Sequence, residues 1–298
     1  MTTMNRGTTK SGHKVTIYYG LSFEEYKELP GINSSRLKHL SHSALAYREN
    51  PSTVGKRPSL LGHMVHCLLL EPQDFEYRYA VLPEGMRADP RTKVYKEFLS
   101  KCTTDQEIVP EKTYVLAADI VENVENDELC YHHLNEDEGQ NEVTIQWECQ
   151  ETGLLCKARP DRIAVRGVTD IKTTKDCTPD GFPYEAKRYG YWRQAAHYKE
   201  AVRMAKEAGL IGFDVSDDYW ILAAENTGKV FCQVLYKLEP DTIANFNEAR
   251  YEDLRAIKTY TQTDTWLGPD CGGSRLLEYP GLAPALSEDE DIENDQGY

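Results

Sequence analysis

The sequence predicts an α/β fold with a mixed central β-sheet flanked by helices. Three observations carry this. Apolar residues recur at helical spacing up to about residue 130, alternate from residue 143, and return to helical spacing from about residue 188. A hairpin pattern follows near residue 219, and neither a repeat nor an obvious linker divides the chain. One α/β domain with helical additions is the economical architecture.

The first fourteen residues, "MTTMNRGTTKSGHK", show no apolar period and are expected to form a disordered arm. "LSFEEYKEL" and "NSSRLKHLSHSALAYREN" read as short helices, the second opening on capping-type Asn33 or Ser34. "PSTVGKRP" reads as a loop, and "SLLGHMVHCLLLEP" as a buried helix stopped by Pro72. "RTKVYKEFLSKC" and "EKTYVLAADIVENVENDELC" are helical, the latter through Val115, Leu116, Ile120, Val121 and Val124. "EVTIQWECQ" alternates Val143, Ile145 and Trp147, which is a strand. "LLCKARPDRIAV" and "VTDIKTT" are expected as two more strands, paired as a hairpin. A long helix covers about 188–208, "DYWILAAEN" and "VFCQVLYKL" form a hairpin around "TGK", and a final helix covers roughly 241–260. The expected boundaries are an arm over 1–14, a domain over 15–275 and an acidic tail over 276–298.

Of the 298 residues, 40% are hydrophobic and 28% charged, as in globular proteins, so a sizeable core can be buried. No apolar run approaches the roughly 18 residues of a membrane span, and no secretory signal opens the chain. No membrane partner is expected. Eight cysteines are scattered without a CxxC pair, which argues against zinc ribbons and disulfide scaffolds and fits a reducing cytoplasm. The net charge of −15 is regional. Residues 287–298 hold six acids and no base, and residues 119–151 hold eleven acids and no base. Residues 152–204 instead hold eleven Lys/Arg against six Asp/Glu.

Within that basic stretch lies "GVTDIKTTKD". Alternate residues of a strand share a face, so Asp170 and Lys172 point one way and Ile171 the other. Asp161, near the end of the preceding strand, approaches Asp170 across the hairpin. Two such carboxylates repel unless a cation sits between them. Oxygen ligands with open water positions suit Mg²⁺ or Mn²⁺. Lys172 is then placed to orient or deprotonate a water, or to stabilise developing negative charge. His66 offers a nitrogen ligand from the buried helix, and Gly62, one turn earlier, admits close backbone approach. Taken singly, each has a plainer explanation: a surface ion pair for D-x-K, a satisfied core histidine for His66.

Together these residues form an ordered pattern: G-x-x-x-H at 62–66, R-P-D at 159–161, D-I-K at 170–172 and Q-x-x-x-Y at 194–198. The pattern resembles the PD-(D/E)XK nuclease superfamily, with its restriction-endonuclease-like core. More closely it resembles the RecE (exonuclease VIII) nuclease-domain family, from "GINSSRLKHL" to the final helix. The blocks "GHMVHCLLLEP", "WECQETGLLCKARPDRI", "DIKTTKD" and "YGYWRQAAHY" carry the likeness. The chain lacks that family's long N-terminal region, as a compact phage-type version would.

The resemblance implies metal ligation by His66, Asp161, Asp170 and the main-chain carbonyl of Ile171, with Lys172 acting on the attacking water. It implies that Gln194 and Tyr198, one turn apart on a helix, border the active site and help hold DNA. Arg159 and Lys175 are candidate phosphate contacts by charge and proximity. Ser34, Ser35 and Arg36 at a helix start are candidates to hold a phosphate on backbone N–H groups. Glu148 lies in a matching block without an assigned role. The implied function is a Mg²⁺-dependent exonuclease, Mn²⁺ substituting, that degrades linear double-stranded DNA 5′ to 3′. The product would be a 3′ strand for a RecT-like single-strand annealing recombinase, in the cytoplasm of a bacterial host. A homo-oligomeric ring, a tetramer by preference, is implied as well. The competing readings are a same-fold nuclease of other polarity, an endonuclease, or a non-catalytic recombinase-docking or DNA-mimic protein that exploits its acidity.

Overall fold

The structure is a computed structural model and describes residues 2–50, 60–135, 137–228 and 231–269. The loop expected at "PSTVGKRP" and the acidic tail over 276–298 lie outside the described residues. The chain opens with strands β1 (Thr3–Thr8) and β2 (Lys14–Tyr19), then helices α1 (Phe23–Glu28), α2 (Ser34–Leu40), α3 (Ala44–Glu49), α4 (Leu60–Leu70) and α5 (Phe75–Arg78). Strand β3 (Tyr79–Val81), helix α6 (Lys93–Leu99) and strand β4 (Glu107–Val109) lead to helices α7 (Glu111–Asn126) and α8 (Glu128–Asn135). Strands β5 (Gly139–Asn141), β6 (Thr144–Glu148), β7 (Leu155–Ala158), β8 (Arg162–Ala164) and β9 (Gly167–Thr174) follow. Helices α9 (Phe182–Tyr189) and α10 (Tyr191–Glu207), strands β10 (Tyr219–Glu225) and β11 (Gln233–Lys237), and helix α11 (Pro240–Thr263) complete the domain.

Local chemistry explains where several helices begin. Ser22 and Glu25 form a reciprocal capping box on α1, and Asn33, Ser43 and Thr92 accept backbone N–H bonds at the starts of α2, α3 and α6. The strands assemble into an antiparallel sheet of order β1-β2-β6-β7 and a mixed sheet of order β11-β10-β9-β8-β5. In the second sheet β9 and β10 run parallel and the other pairs antiparallel. Strands β3 and β4 form a small parallel pair. The expected mixed α/β architecture is therefore present, with its strands divided between sheets.

Two apolar clusters hold the sheets in place. Ile17 and Ile145 are opposed across β2 and β6 and fully buried. Each such side chain contributes about 1.5–3 kcal/mol. They join Trp147 and residues of α10 and α11, including Ala195 and Leu254, in one cluster. Ile171 and Leu222 from the second sheet instead join Met64 of α4 and Ile120 of α7. Among the described residues no helix is long and apolar enough to cross a membrane, and their cysteines are free thiols.

Four local expectations differ from the structure. The expected disordered arm contains β1, which pairs with β2 from Thr3↔Tyr19 to Thr8↔Lys14. Its residues are almost all exposed, so backbone pairing rather than an apolar face defines the strand. Gly7 fits because a side chain there would meet the Ala208 carbonyl oxygen at 2.7 Å. The segment read as one strand, "LLCKARPDRIAV", crosses from one sheet to the other: β7 ends at Ala158 and β8 begins at Arg162. Pro160, between them, has no N–H to give to either ladder. The helix expected through residue 130 breaks at Asp127, whose backbone is extended (φ −83°, ψ 111°). The helix expected over 188–208 is divided by Gly190 in the left-handed conformation (φ 75°, ψ 41°).

Candidate active site

The crossing at Pro160 places Asp161 beside the mouth of the second sheet. Register pairs Arg162 with Thr169, which brings Asp161 next to Asp170. Asp161 is buried, and its Oδ2 accepts a 2.6 Å hydrogen bond from the Ile171 N–H. Asp170 is 1% exposed, and its Oδ1 accepts from Gln194 Nε2 of α10 at 2.9 Å. Its Oδ2 is ion-paired with Lys172 Nζ but accepts no aligned hydrogen bond. From α4, His66 sets Nδ1 3.5 Å from Asp161 Oδ2 and 3.9 Å from Glu142 Oε1. All six side chains line one cavity of about 750 Å³.

Glu142 was not singled out by sequence reasoning. It follows β5 with φ 52°, an uncommon conformation for a residue with a side chain. Its N–H donates to the Asp161 carbonyl at 2.9 Å, and its Oε2 accepts from Arg159 Nε at 2.6 Å. Those contacts turn the carboxylate toward His66. In the sequence Glu142 is one acid within a long acidic run, and no periodic signal distinguishes it.

His66, Glu142 and Asp161 offer one ligand atom each within 4.8 Å of one another. The set is one imidazole nitrogen and hard carboxylate oxygens, with Asp170 adjoining and its Oδ2 ion-paired with Lys172. That donor chemistry fits a divalent cation of the Mg²⁺ or Mn²⁺ type. The protonation pattern reports the same concentration of negative charge. Burial and the neighbouring Asp170 push Asp161 up to about 7, against the pull of His66. Burial lowers the His66 pKa, but Asp161 and Glu142 more than reverse this and raise it to about 9. Burial would raise Glu142, yet His66 and Arg159 bring it down to about 2. Burial likewise opposes charge on Lys172, but Asp170 and Asp161 hold its pKa above the ordinary lysine value. Lys172 is accordingly an ammonium donor here rather than a free amine base.

The remaining sequence-predicted residues divide. Gln194 and Tyr198 share a face of α10 and line the cavity, as do Ser34 and Ser35. Arg159 lines it too, but its guanidinium is committed to Glu142 and to the Leu21 carbonyl at 2.6 Å. Arg36 stacks 4.4 Å over the Tyr47 ring, and its N–H is taken by Asn33 Oδ1. Lys175 is exposed past the end of β9 and lies outside the cavity lining. Ile171 meets the site through its backbone, while its side chain belongs to the α4–α7 cluster. Glu148 is paired with Lys14 at the end of β6, apart from the cavity.

Comparison with known proteins bears on the family and the fold. The family described as "PDDEXK-like domain of unknown function (DUF3799)" matches residues 25–272. A solved structure from Eubacterium rectale, named "Putative exonuclease", superposes with a TM-score of 0.50 at 15% identity. The alignment covers 88% of this chain and 96% of that one. No curated protein matches the chain.

Proposed function

The chain belongs to the PDDEXK-like family, and on that premise we propose that it is a Mg²⁺-dependent exonuclease that degrades linear double-stranded DNA 5′ to 3′. The observation that supports the reading is the meeting of His66, Glu142, Asp161, Asp170 and Lys172 in one cavity. His66, Glu142 and Asp161 would hold a divalent cation, which when bound would supply Lewis-acid stabilisation of charge on the phosphate. The chain's own groups do the rest. Gln194 fixes the Asp170 carboxylate, and Arg159 fixes Glu142 while leaving its Oε1 directed at His66. Lys172 presents a buried ammonium that orients the attacking water and stabilises negative charge as it develops. Burial keeps the Tyr198 phenol neutral, so this wall of the cavity adds no competing anion.

The RecE-like motif order supports the finer reading: 3′ single strands delivered to an annealing recombinase in a bacterial cytoplasm. It also supports a homo-oligomeric ring, a tetramer by preference. Enclosure of duplex would retain DNA on a chain of net charge −15 without a basic exterior. The test is a digest of duplex labelled at the 5′ or 3′ end, beside covalently closed circles, with Mg²⁺, Mn²⁺ or EDTA. Linear duplex should shorten from its 5′ ends, circles should survive, and EDTA should stop the reaction. Cutting of circles moves the protein to the endonuclease reading, and no hydrolysis with any divalent cation moves it to a binding role. A monomer by light scattering, together with distributive digestion, removes the ring.

A further inference from the structure

The left-handed Gly190 between α9 and α10 has a consequence beside the cavity. In a continuous helix, residues two apart do not face each other. Here Tyr189 and Tyr191 flank the break, and their rings stack 6.0 Å apart at 17°. A side chain at position 190 would meet nothing within 4 Å, so the glycine answers a demand of backbone conformation rather than of space. Tyr191 is buried, and the Lys172 ammonium lies 5.1 Å from its ring centroid. Tyr189 continues the stack outward and is 49% exposed. Lys38 Nζ lies over the Tyr189 ring at 5.5 Å and donates to the Arg188 and Tyr189 carbonyls at 3.3 and 3.4 Å, and the Arg188 guanidinium lies over the same ring at 5.7 Å. Lys38 is on the same short helix as Ser34 and Ser35 of the cavity wall. Stacked rings thus lead from the proposed catalytic lysine to a half-exposed tyrosine whose ring carries two mobile-chain cations.

We infer that Tyr189 is a stacking platform for a nucleobase next to the scissile phosphate, with Lys38 and Arg188 beside it for the adjoining phosphate. The inference rests on the nuclease reading. It deepens that reading by placing the flanking nucleotide outside the cavity, two ring spacings from Lys172. A tyrosine face is sequence-tolerant, because every base has a π-face, and stacked bases bind more tightly by roughly 5- to 100-fold each.

The experiment uses duplex ending in 2-aminopurine, whose fluorescence is quenched on stacking. Binding is read in Ca²⁺ and hydrolysis in Mg²⁺. Wild-type protein should quench the probe. Tyr189→Ala should lose most of the quench and raise KM about tenfold with kcat nearly unchanged, while Tyr189→Trp keeps both. An unchanged melting curve for Tyr189→Ala excludes misfolding as the cause. Equal quench and equal KM in wild type and Tyr189→Ala overturn the platform and leave the nuclease reading standing. If wild type hydrolyses nothing, the nuclease reading falls, and the quench comparison alone decides the platform.

Discussion

Two buried charge clusters touch opposite stretches of α10, and they differ in how their carboxylates are used. Between α10 and α11, Glu200 accepts from Arg203 Nε at 2.8 Å, Arg203 Nη2 at 2.9 Å and Tyr251 Oη at 2.9 Å. Arg250, fully buried, stands 3.7 Å from Glu200 and lies over the Tyr251 ring. One acid there serves two guanidinium groups, away from the large cavity. At the other end, Gln194 holds Asp170 beside Asp161, Glu142 and His66, and the carboxylates face open space. The acids there are brought together against their own repulsion, and an imidazole supplies positive charge. Buried charge by itself therefore does not mark function. What separates the two clusters is that the carboxylates of the second line the large cavity.

The contrast breaks most sharply at Asp170. Asp170→Ala should lower kcat/KM by roughly a thousandfold or more, because charge stabilisation of this kind is the largest catalytic effect. Its melting temperature should stay close to wild type, because Asp161 still faces the Lys172 ammonium and is relieved of the repulsion from Asp170. A large drop in melting temperature would make the cavity cluster structural like the other. Lys172→Ala should lower kcat by about 10²- to 10³-fold while DNA binding in Ca²⁺ persists, since its proposed work lies in the transition state. Calorimetry showing cation binding lost as fully as in Asp170→Ala would make Lys172 structural instead.

Glu200→Gln should do the reverse. Breaking a buried ion pair costs about 3–5 kcal/mol, because the partner charges remain. Denaturant unfolding should report that loss while hydrolysis per folded molecule is unchanged. A thousandfold loss of kcat with native stability would erase the distinction.

The smallest effect is on the pH dependence of stability in metal-free protein. Asp161 lies at about 7 against an ordinary 3.8, and His66 at about 9 against 6.5. Both values are raised by folding, so each contribution is complete below the ordinary value and is lost as pH rises through the folded one. Glu142 has the opposite sign: lowered to about 2 from 4.5, it stabilises above 4.5 and fails only as pH falls toward 2. The melting temperature in EDTA should therefore decline by a few degrees between pH 6 and 9, on the usual scale of about 2–4 °C per kcal/mol for a large domain. Asp161→Asn should remove the earlier part of the decline and shrink the later part, because Asp161 is the main charge raising His66, and Mg²⁺ should flatten both. A flat profile in EDTA would show that these groups do not gather as described.

The sequence by itself determined the α/β class, most of the helices, and the set His66, Asp161, Asp170 and Lys172 that meets in the cavity. Strand geometry turns D-I-K into a shared face and the hairpin brings Asp161 to it, both local properties, while His66 joins them through the resemblance of the motif order to a known family. Only the tertiary structure decided the rest. Glu142 enters the site through φ 52° and through bonds to Asp161 and Arg159, partners nearly twenty residues away with no periodic relation to it. Arg159, basic and adjacent to the motif, reads as a phosphate contact in sequence, yet its guanidinium is spent on Glu142 and Leu21. Strand β1 has no apolar face to announce it and forms because β2 offers an open edge. Gly190, read as helix interior, separates α9 from α10 in the left-handed conformation that glycine adopts readily. For Glu142 and Arg159 the deciding contacts join segments far apart in sequence, and their free energy appears only once those segments share one surface.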